Sequence, residues 1–313
     1  MNHRRAPSDQ IQVKTAIFSP DGQFVLTGDR RGVLRTWNGD TGELVNVLEK
    51  FGEVTGSVES VCFSPGGDRV VAGFSRGQVG LWDARSSKLL WHSWHADRVR
   101  TVVFSPDGRL VLSAGNDEKA MFWNADDGQP IGAEMRHRGQ VFVARFSPDG
   151  RLAVTGGFDA TVRLWEAPSG RPVGEPMRHE GVVAAASFSR DSTRLITGGT
   201  RDRTARLWDV ATCLPLAPPL EHNDDVFAVA IHPDGHSALT GRFWQLPHPL
   251  PDDPRLIELW VKLATQRKFT AGNVEWLSPA DLAATASEFE SRTGKSWSEW
   301  VDGSRSSSDR TSP

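Results

Sequence analysis

The chain has 313 residues, of which 38% are hydrophobic and 24% charged, and this balance is typical of a globular protein and excludes wholesale disorder or a collagen-like chain. Its formal net charge of −3 gives no global attraction to nucleic acid or anionic lipid. Cys62 and Cys213 cannot form a disulfide framework, and no apolar run is long enough for a membrane span or a secretory signal, so we expect a cytoplasmic protein with neither a nucleic-acid nor a membrane partner.

An internal repeat follows a short N-terminal arm, residues 1–12. The pentapeptide FSPDG occurs at residues 18–22, 104–108 and 146–150, and degenerate copies begin at Phe63, Phe188 and Ile231. The first residues of successive copies are 45, 41, 42, 42 and 43 residues apart. A period near 42 predicts a repeat architecture in which each unit buries its faces against its neighbours.

Each of the first five copies is followed 19 or 20 residues later by a tryptophan at the end of an alternating run such as TARLW at residues 204–208. Such alternation predicts strands, and the SPDG segments fit type I turns. The tryptophans are Trp37, Trp82, Trp123, Trp165 and Trp208. The pattern favours an all-β fold.

Two further residue types recur with the same period. A histidine stands nine residues before four copies, and an aspartate stands six residues before three of the tryptophans. With the Trp-Asp pairs at residues 82–83 and 208–209, residues 13–246 resemble the WD-repeat family of β-propellers. The resemblance implies four-stranded blades, and we expect about six of them, the last incomplete.

In the WD-repeat family a histidine, a serine or threonine, an aspartate and the tryptophan form a buried hydrogen-bonded set. The resemblance implies three such structural tetrads, of which the third has one extra residue between its threonine and aspartate. They are His95, Ser113, Asp117, Trp123; His137, Thr155, Asp159, Trp165; and His179, Thr197, Asp202, Trp208.

Three repeats depart from this pattern. Repeats one and two carry Arg31 and Arg76 at the aspartate position and lack the histidine, so we expect glycine-based turns at Gly32 and Gly77 and less rigid blades. In the sixth copy, which begins with His222, Trp244 comes about six residues early. An incomplete last blade leaves ring closure open, and an open ring would expose sheet edges that favour a homo-oligomer or a partner strand.

Residues 247–300 change in character and are expected to form a C-terminal helical extension. Asp253 and Pro254 begin one amphipathic pattern that continues to Ala264, and Ser278 and Pro279 begin a second. Residues 301–313 are expected to be a disordered tail. This C-terminal region resembles the segment that follows WD repeats in bacterial proteins, including proteins fused to serine/threonine kinases.

Catalytic and metal-binding alternatives have weaker sequence support. The recurrent histidines would lie on different blades, which disfavours a shared metal, and His92 near His95 has no nearby cysteine. Residues 73–77 match the G-x-S-x-G pattern of serine hydrolases but precede a strand where that motif requires a helix. No phosphate-binding loop or kinase motif is found, and no cofactor is predicted.

The favoured function is a non-catalytic scaffold that binds protein partners through its loops. The residues expected to contact a partner are Arg98, Arg138, Phe142, Phe158, Asp225 and Phe227. The alternative roles are solvated loop charge for the charged residues and packing between blades for the phenylalanines. Two alternatives remain open: an enzyme or small-ligand binder that uses a central channel, and an inactive remnant of a larger kinase or signalling protein.

Overall fold

The computed structural model describes residues 12–48, 56–232, 235, 237–240, 243–245, 267–270, 273–276, 284–285, 287–288 and 291. For residues 243–245, 267–270 and 273–276 only the backbone is described. The predicted N-terminal arm up to residue 11, the first C-terminal helix and the tail lie outside these residues. In the second predicted helix, residues 284–285, 287–288 and 291 have helical conformation.

The described chain consists almost entirely of antiparallel strands, which confirms the all-β prediction. The first sheet contains β1 (Val13–Phe18), β2 (Phe24–Asp29), β3 (Leu34–Asn38) and β4 (Leu44–Val47). The second contains β5 (Val58–Phe63), β6 (Arg69–Phe74), β7 (Gln78–Asp83) and β8 (Leu89–Trp94). The third contains β9 (Val99–Phe104), β10 (Leu110–Gly115), β11 (Lys119–Asn124) and β12 (Pro130–Arg136).

The fourth and fifth sheets repeat the same order of neighbouring strands. The fourth contains β13 (Val141–Phe146), β14 (Leu152–Gly157), β15 (Thr161–Glu166) and β16 (Arg171–Arg178). The fifth contains β17 (Val182–Phe188), β18 (Arg194–Thr200), β19 (Thr204–Asp209) and β20 (Leu220–Glu221). Because each strand pairs with the next along the chain, each of the first five repeats is an up-and-down four-stranded sheet, as in a WD-repeat β-propeller blade.

Within the described residues the sixth sheet has three strands, β21 (Ala230–Ile231), β22 (Ser237–Leu239) and β23 (Phe243–Gln245). Residues 246–266, where a fourth strand would follow, lie outside the described residues, so the incomplete last repeat stays a prediction. Ala238 pairs with Trp244 just as Val111 pairs with Trp123 in the third sheet. The six missing residues therefore shorten β22 and β23 to three residues each, compared with six each in β10 and β11, and leave the register unchanged.

A two-stranded hairpin, β24 (Arg267–Thr270) and β25 (Asn273–Trp276), lies in the segment that the sequence analysis assigns to helices. The hairpin is not predicted from the sequence, because the amphipathic runs on either side of it indicate helices. The segment from 247 to 300 is therefore not helical throughout.

The SPDG segments form the tight turns that their composition predicts. In the third repeat, the Ser105 hydroxyl donates to the Asp107 carboxylate at 2.5 Å and accepts from the backbone N–H of Leu110 at 2.9 Å. Gly108 has a φ of +70°, which favours glycine. The hydrogen bond from Ser105, together with one from the backbone of Arg109, holds the pKa of Asp107 below its ordinary value.

The chain forms two compact units. The first contains residues Met1–Phe146, Gly150–Thr155 and Trp165–Pro172, and the second contains Ser147–Asp149, Gly156–Leu164 and Val173–Pro313. Within the first unit, the core is built from side chains of adjacent sheets, such as Leu26 with Val58 and Phe74. Within the second, Ile196, Leu207 and Val226 belong to one buried cluster. In each unit apolar faces of successive sheets pack together, which is the main source of stability in repeat proteins.

Candidate functional site

The third sheet contains the first of the predicted tetrads. His95 lies just after β8, and its Nε2 is 2.7 Å from the Ser113 hydroxyl. The Trp123 indole N–H donates to the same hydroxyl at 2.6 Å, and the His95 Nδ1 lies 2.9 Å from the Asp117 carboxylate. The imidazole, hydroxyl and indole are all buried, so these contacts satisfy polar groups that water cannot reach.

The direction of these hydrogen bonds follows from their chemistry. An indole N–H only donates, so the Ser113 hydroxyl accepts from Trp123 and donates its own proton to the His95 Nε2. The His95 proton is then on Nδ1 and is donated to Asp117. Burial alone would raise the pKa of Asp117, but the hydrogen bonds from His95 and from the backbone N–H groups of Ala96 and Lys119 outweigh it, and the pKa lies below its ordinary value.

The fourth repeat places the corresponding groups in the same way. The His137 Nε2 is 2.7 Å from the Thr155 hydroxyl, which also accepts from the Trp165 indole at 2.7 Å. Asp159 accepts from the backbone N–H of Thr161 at 3.0 Å and from its hydroxyl at 2.8 Å. Asp159 thus anchors the turn that begins β15.

The fifth repeat accommodates its extra residue without changing the bonds. His179 lies 2.8 Å from the Thr197 hydroxyl and 2.9 Å from the Asp202 carboxylate, and the Trp208 indole donates to Thr197 at 2.7 Å. The additional residue lengthens β18, which has seven residues where β10 has six, and in the turn that follows Arg201 and Arg203 have positive φ. Burial lowers the pKa of His179 below its ordinary value despite the opposing effect of Asp202.

Sequence analysis missed two related sets of contacts. His222 Nε2 lies 2.6 Å from the Thr240 hydroxyl, and its Nδ1 donates to the Leu220 carbonyl at 2.9 Å. Thr240 follows His222 by 18 residues, the same spacing that separates His95 from Ser113, and this constant spacing could have identified it. The donation to a carbonyl also shows that here the proton is on Nδ1.

The first repeat holds its hairpin by other means than the tetrad. The Trp37 indole donates to the Thr27 hydroxyl at 2.7 Å, and the Asp29 carboxylate accepts from the backbone N–H groups of Arg31 and Val33 and from the Arg35 guanidinium at 2.6 Å. Arg31 stands at the tetrad position of the aspartate, as the sequence analysis states, and Asp29 supplies the carboxylate of this turn instead. The aspartate lies two residues earlier than in the tetrads, and Gly32 has the expected positive φ.

Ser75 and the histidines bear on the hydrolase and metal-binding alternatives. Ser75 lies in the turn between β6 and β7, where its hydroxyl accepts from the Ser57 backbone N–H at 2.9 Å, and a strand follows instead of the helix that a hydrolase elbow requires. His92 is an exposed residue of β8. Within the described residues no group of three or more potential metal ligands converges.

The six expected partner-binding residues fall into two sets. In the first unit, Arg138 is exposed, Arg98 is half-buried, and the half-buried Phe142 ring lies under the Arg100 guanidinium at 5.0 Å. In the second unit, the Arg201 guanidinium lies 5.6 Å from the centre of the Phe158 ring, and its backbone N–H donates to Asp225 at 2.6 Å. The other residue of the second set, Phe227, is 71% exposed.

Acidification should destabilise the protein in two stages. The pKa of His179 lies below its ordinary value of 6.5 in the folded state, so below that pH the unfolded state binds more protons and the free energy of unfolding falls. The lowered pKa values of Asp117 and Asp202 add a second loss as the pH falls below 3.8. Urea unfolding measured from pH 7.5 to 5 tests the first stage.

The matched variants for this pH series are His179→Gln and His92→Gln. The first should reduce the loss of stability between pH 6.5 and 5, whereas the second, at an exposed position, should leave it unchanged. A wild-type protein that gains stability over this range would contradict the buried, neutral imidazole.

Among the described residues, no helix is long and apolar enough to cross a bilayer.

Comparison with known proteins agrees with the repeat seen in the structure. The family model described as WD domain, G-beta repeat (WD40) matches residues 5–38, 42–83, 87–124, 128–166 and 170–209, more than half of the chain. A curated relative, the WD repeat-containing protein SL1-17 of Schistosoma mansoni, is 29% identical over 123 residues. That match covers 39% of this chain and 40% of the relative.

Proposed function

Because the chain belongs to the WD-repeat family, whose repeats generally mediate protein–protein interactions and are typically non-catalytic, we propose that it is a scaffold that binds a protein partner through exposed loop residues of its second unit. The observation that carries this proposal is a patch formed by Phe158, Arg201, Asp225 and Phe227, here called the Phe158 patch. Phe158 is 52% exposed and Phe227 71% exposed.

The contacts within the Phe158 patch hold it in place. Arg201 covers one face of the Phe158 ring, while the bond from its backbone N–H to Asp225 ties the β18–β19 turn to the segment that carries Phe227. Exposed aromatic rings on a backbone fixed by hydrogen bonds bind a partner with little loss of conformational entropy. A structural core residue would not leave half or more of a phenyl ring in water.

The chemistry of the patch indicates the kind of partner surface that fits. Two phenyl rings require apolar side chains opposite them, and the Arg201 guanidinium is available at the rim for a carboxylate. We therefore propose a partner segment with apolar residues next to an acidic one. Arg98 and Arg138 of the first unit are proposed as a separate basic surface that contributes long-range attraction.

Removing the aromatic anchors should weaken the partner interaction at least tenfold. The test is affinity capture with cross-linking mass spectrometry, comparing the wild type with Phe158→Ala/Phe227→Ala and with Leu90→Ala, a control at a 51%-exposed leucine of β8. Loss of captured protein with the double variant alone supports the patch, since hot-spot truncation costs about 2 kcal/mol or more.

A second double variant tests the basic surface in the same experiment. Arg98→Glu/Arg138→Glu should slow association and increase salt sensitivity without abolishing capture. If the charge reversal abolishes capture and the aromatic variant does not, the binding surface lies in the first unit and the proposal for the Phe158 patch is wrong.

The biological setting is a further part of the proposal. The resemblance of the C-terminal region to segments of bacterial kinase-linked WD-repeat proteins supports a role in bacterial signalling, and two free cysteines fit a reducing cytoplasm. A serine/threonine kinase encoded beside this chain and co-purified with it would support this setting.

A further inference from the structure

The first unit contains a cavity of about 410 Å³ that is lined by residues of the first and second sheets and of their turns. Its apolar lining includes Phe24 and Phe63, and its polar lining includes Thr36 and Asn46. The size is within the range of small-ligand pockets, which is about 300–1,000 Å³. Most positions between adjacent sheets are filled, so this cavity requires an explanation from the sequence.

The cavity arises where the first repeat departs from the others. The residue before the repeat tryptophan is a buried apolar side chain in repeats two to five, and in repeat one it is Thr36. Thr36 is only 4% exposed, and its hydroxyl has no hydrogen-bond partner among the described residues. A buried hydroxyl without a partner is unfavourable, so a group that hydrogen-bonds to it from the cavity would be stabilised.

The equivalent space between the second and third sheets is occupied by an arginine. The Arg69 guanidinium lies 5.8 Å from the centre of the Phe104 ring and donates to the carbonyls of Gly108 at 2.8 Å and Ala125 at 3.2 Å. It also pairs with Asp126 at 2.9 Å. Flat apolar contact plus several oxygen acceptors is the environment that a guanidinium prefers.

The same framework is present around the cavity without its arginine. Alignment of the repeats places Phe63, Gly67 and Ala84 at the positions of Phe104, Gly108 and Ala125, and all three line the cavity. The position of Arg69 itself is taken by Phe24, which has no polar group.

A second hydrogen-bond donor is also missing between the first and second sheets. Between the second and third sheets, the Trp91 indole N–H donates to the Ala125 carbonyl at 3.0 Å. Its counterpart beside the cavity is Asn46, which is cross-strand to Thr36 just as Trp91 is to Leu81. A short amide therefore replaces the large indole, which leaves volume as well as an acceptor.

We propose that this cavity is a binding site for an arginine side chain of a partner polypeptide. The guanidinium packs on Phe63 and donates to the carbonyls of Ala84 and Gly67, and the Thr36 hydroxyl accepts a further N–H. Asp21 and Asp68 against Arg85 give the lining an excess of negative charge that favours a cation. The inference rests on the proposed scaffold function only in that a polypeptide supplies the arginine.

The test uses N-acetyl-L-arginine amide, which reproduces an arginine residue within a chain, and the uncharged N-acetyl-L-citrulline amide. In NMR titrations the arginine probe should cause saturable shifts at the backbone amides of residues 36, 63–64, 66–68 and 84–85, with the citrulline probe at least tenfold weaker. An arginine probe that gives no saturable shift at these amides overturns the proposal, whatever the outcome for the Phe158 patch.

Variants separate binding in the cavity from binding elsewhere. Thr36→Leu fills the cavity with the residue found in repeats two, four and five and should weaken the arginine probe at least tenfold without lowering the thermal midpoint. Phe24→Arg supplies the missing arginine within the chain and should block the probe. Thr41→Leu, at an exposed turn position, is the control and should bind as the wild type does. Unchanged binding by both cavity variants would overturn the proposal.

Discussion

Replacement of Trp123 by alanine is expected to lower the free energy of unfolding by about 3–5 kcal/mol. The indole is 2% exposed and belongs to the buried cluster that joins the second and third sheets, so truncation opens a large cavity. It also removes the donor to Ser113, whose hydroxyl connects the indole to His95. Urea unfolding followed by circular dichroism gives the change.

A second substitution separates the two contributions of Trp123. Trp123→Phe keeps an aromatic ring and removes the N–H, so it should cost about 1–3 kcal/mol, the range for a buried polar group that loses its partner. Ser75→Ala is the comparison, because its hydroxyl accepts a single backbone N–H at a turn, and it should cost less than about 1 kcal/mol. If Ser75→Ala were the more damaging change, the assignment of structural roles would be wrong.

Replacement of Asp202 by alanine is expected to cost about 1–3 kcal/mol. The carboxylate accepts from the buried His179 ring at 2.9 Å and from the backbone N–H of Glu180 at 3.2 Å, and both donors would lose this acceptor. It also accepts from the Thr204 hydroxyl at 3.1 Å, so the β18–β19 turn would be loosened. Unfolding by urea at pH 7 measures the effect.

Asp224 provides the matched control for Asp202. It is an exposed aspartate of the same unit, and among the described residues its carboxylate accepts the neighbouring backbone N–H of Asp225 and no other hydrogen bond. Asp224→Ala should therefore change the free energy of unfolding by no more than about 0.5 kcal/mol. Equal effects of the two substitutions would show that loss of charge, and not loss of the bond to His179, is responsible.

Much of the fold could be predicted because its signals repeat. The 42-residue period, the tryptophan at the end of each third strand and the SPDG turns each occur several times, and five four-stranded sheets follow from them. The shortened hairpin of the sixth repeat is also visible in the sequence, because Trp244 comes about six residues early. The hairpin at β24 and β25 was not predicted, since it occurs once and its residues show no strong alternation.

The candidate site was predicted less completely, because some bonds depend on position and not on residue type. Asp29 serves the first repeat from two residues earlier in the turn, which a search at fixed spacing cannot find. Thr240 was detectable from its 18-residue distance to His222 but required each histidine to be paired with its hydroxyl. The cavity at Thr36 could be found only by comparing the residue before each tryptophan between repeats and asking what fills the space.

Nitrogen-15 NMR of the histidine rings tests most directly whether the recurrent histidines are structural. At pH 7 the account predicts a neutral ring for His179, because burial lowers its pKa, with a slowly exchanging proton on the Nδ1 that faces Asp202. It also predicts that the ring resonances of His95, His137, His179 and His222 do not change on addition of zinc. A His179 ring that is protonated on both nitrogens at this pH, or histidine resonances that shift together when zinc is added, would contradict it.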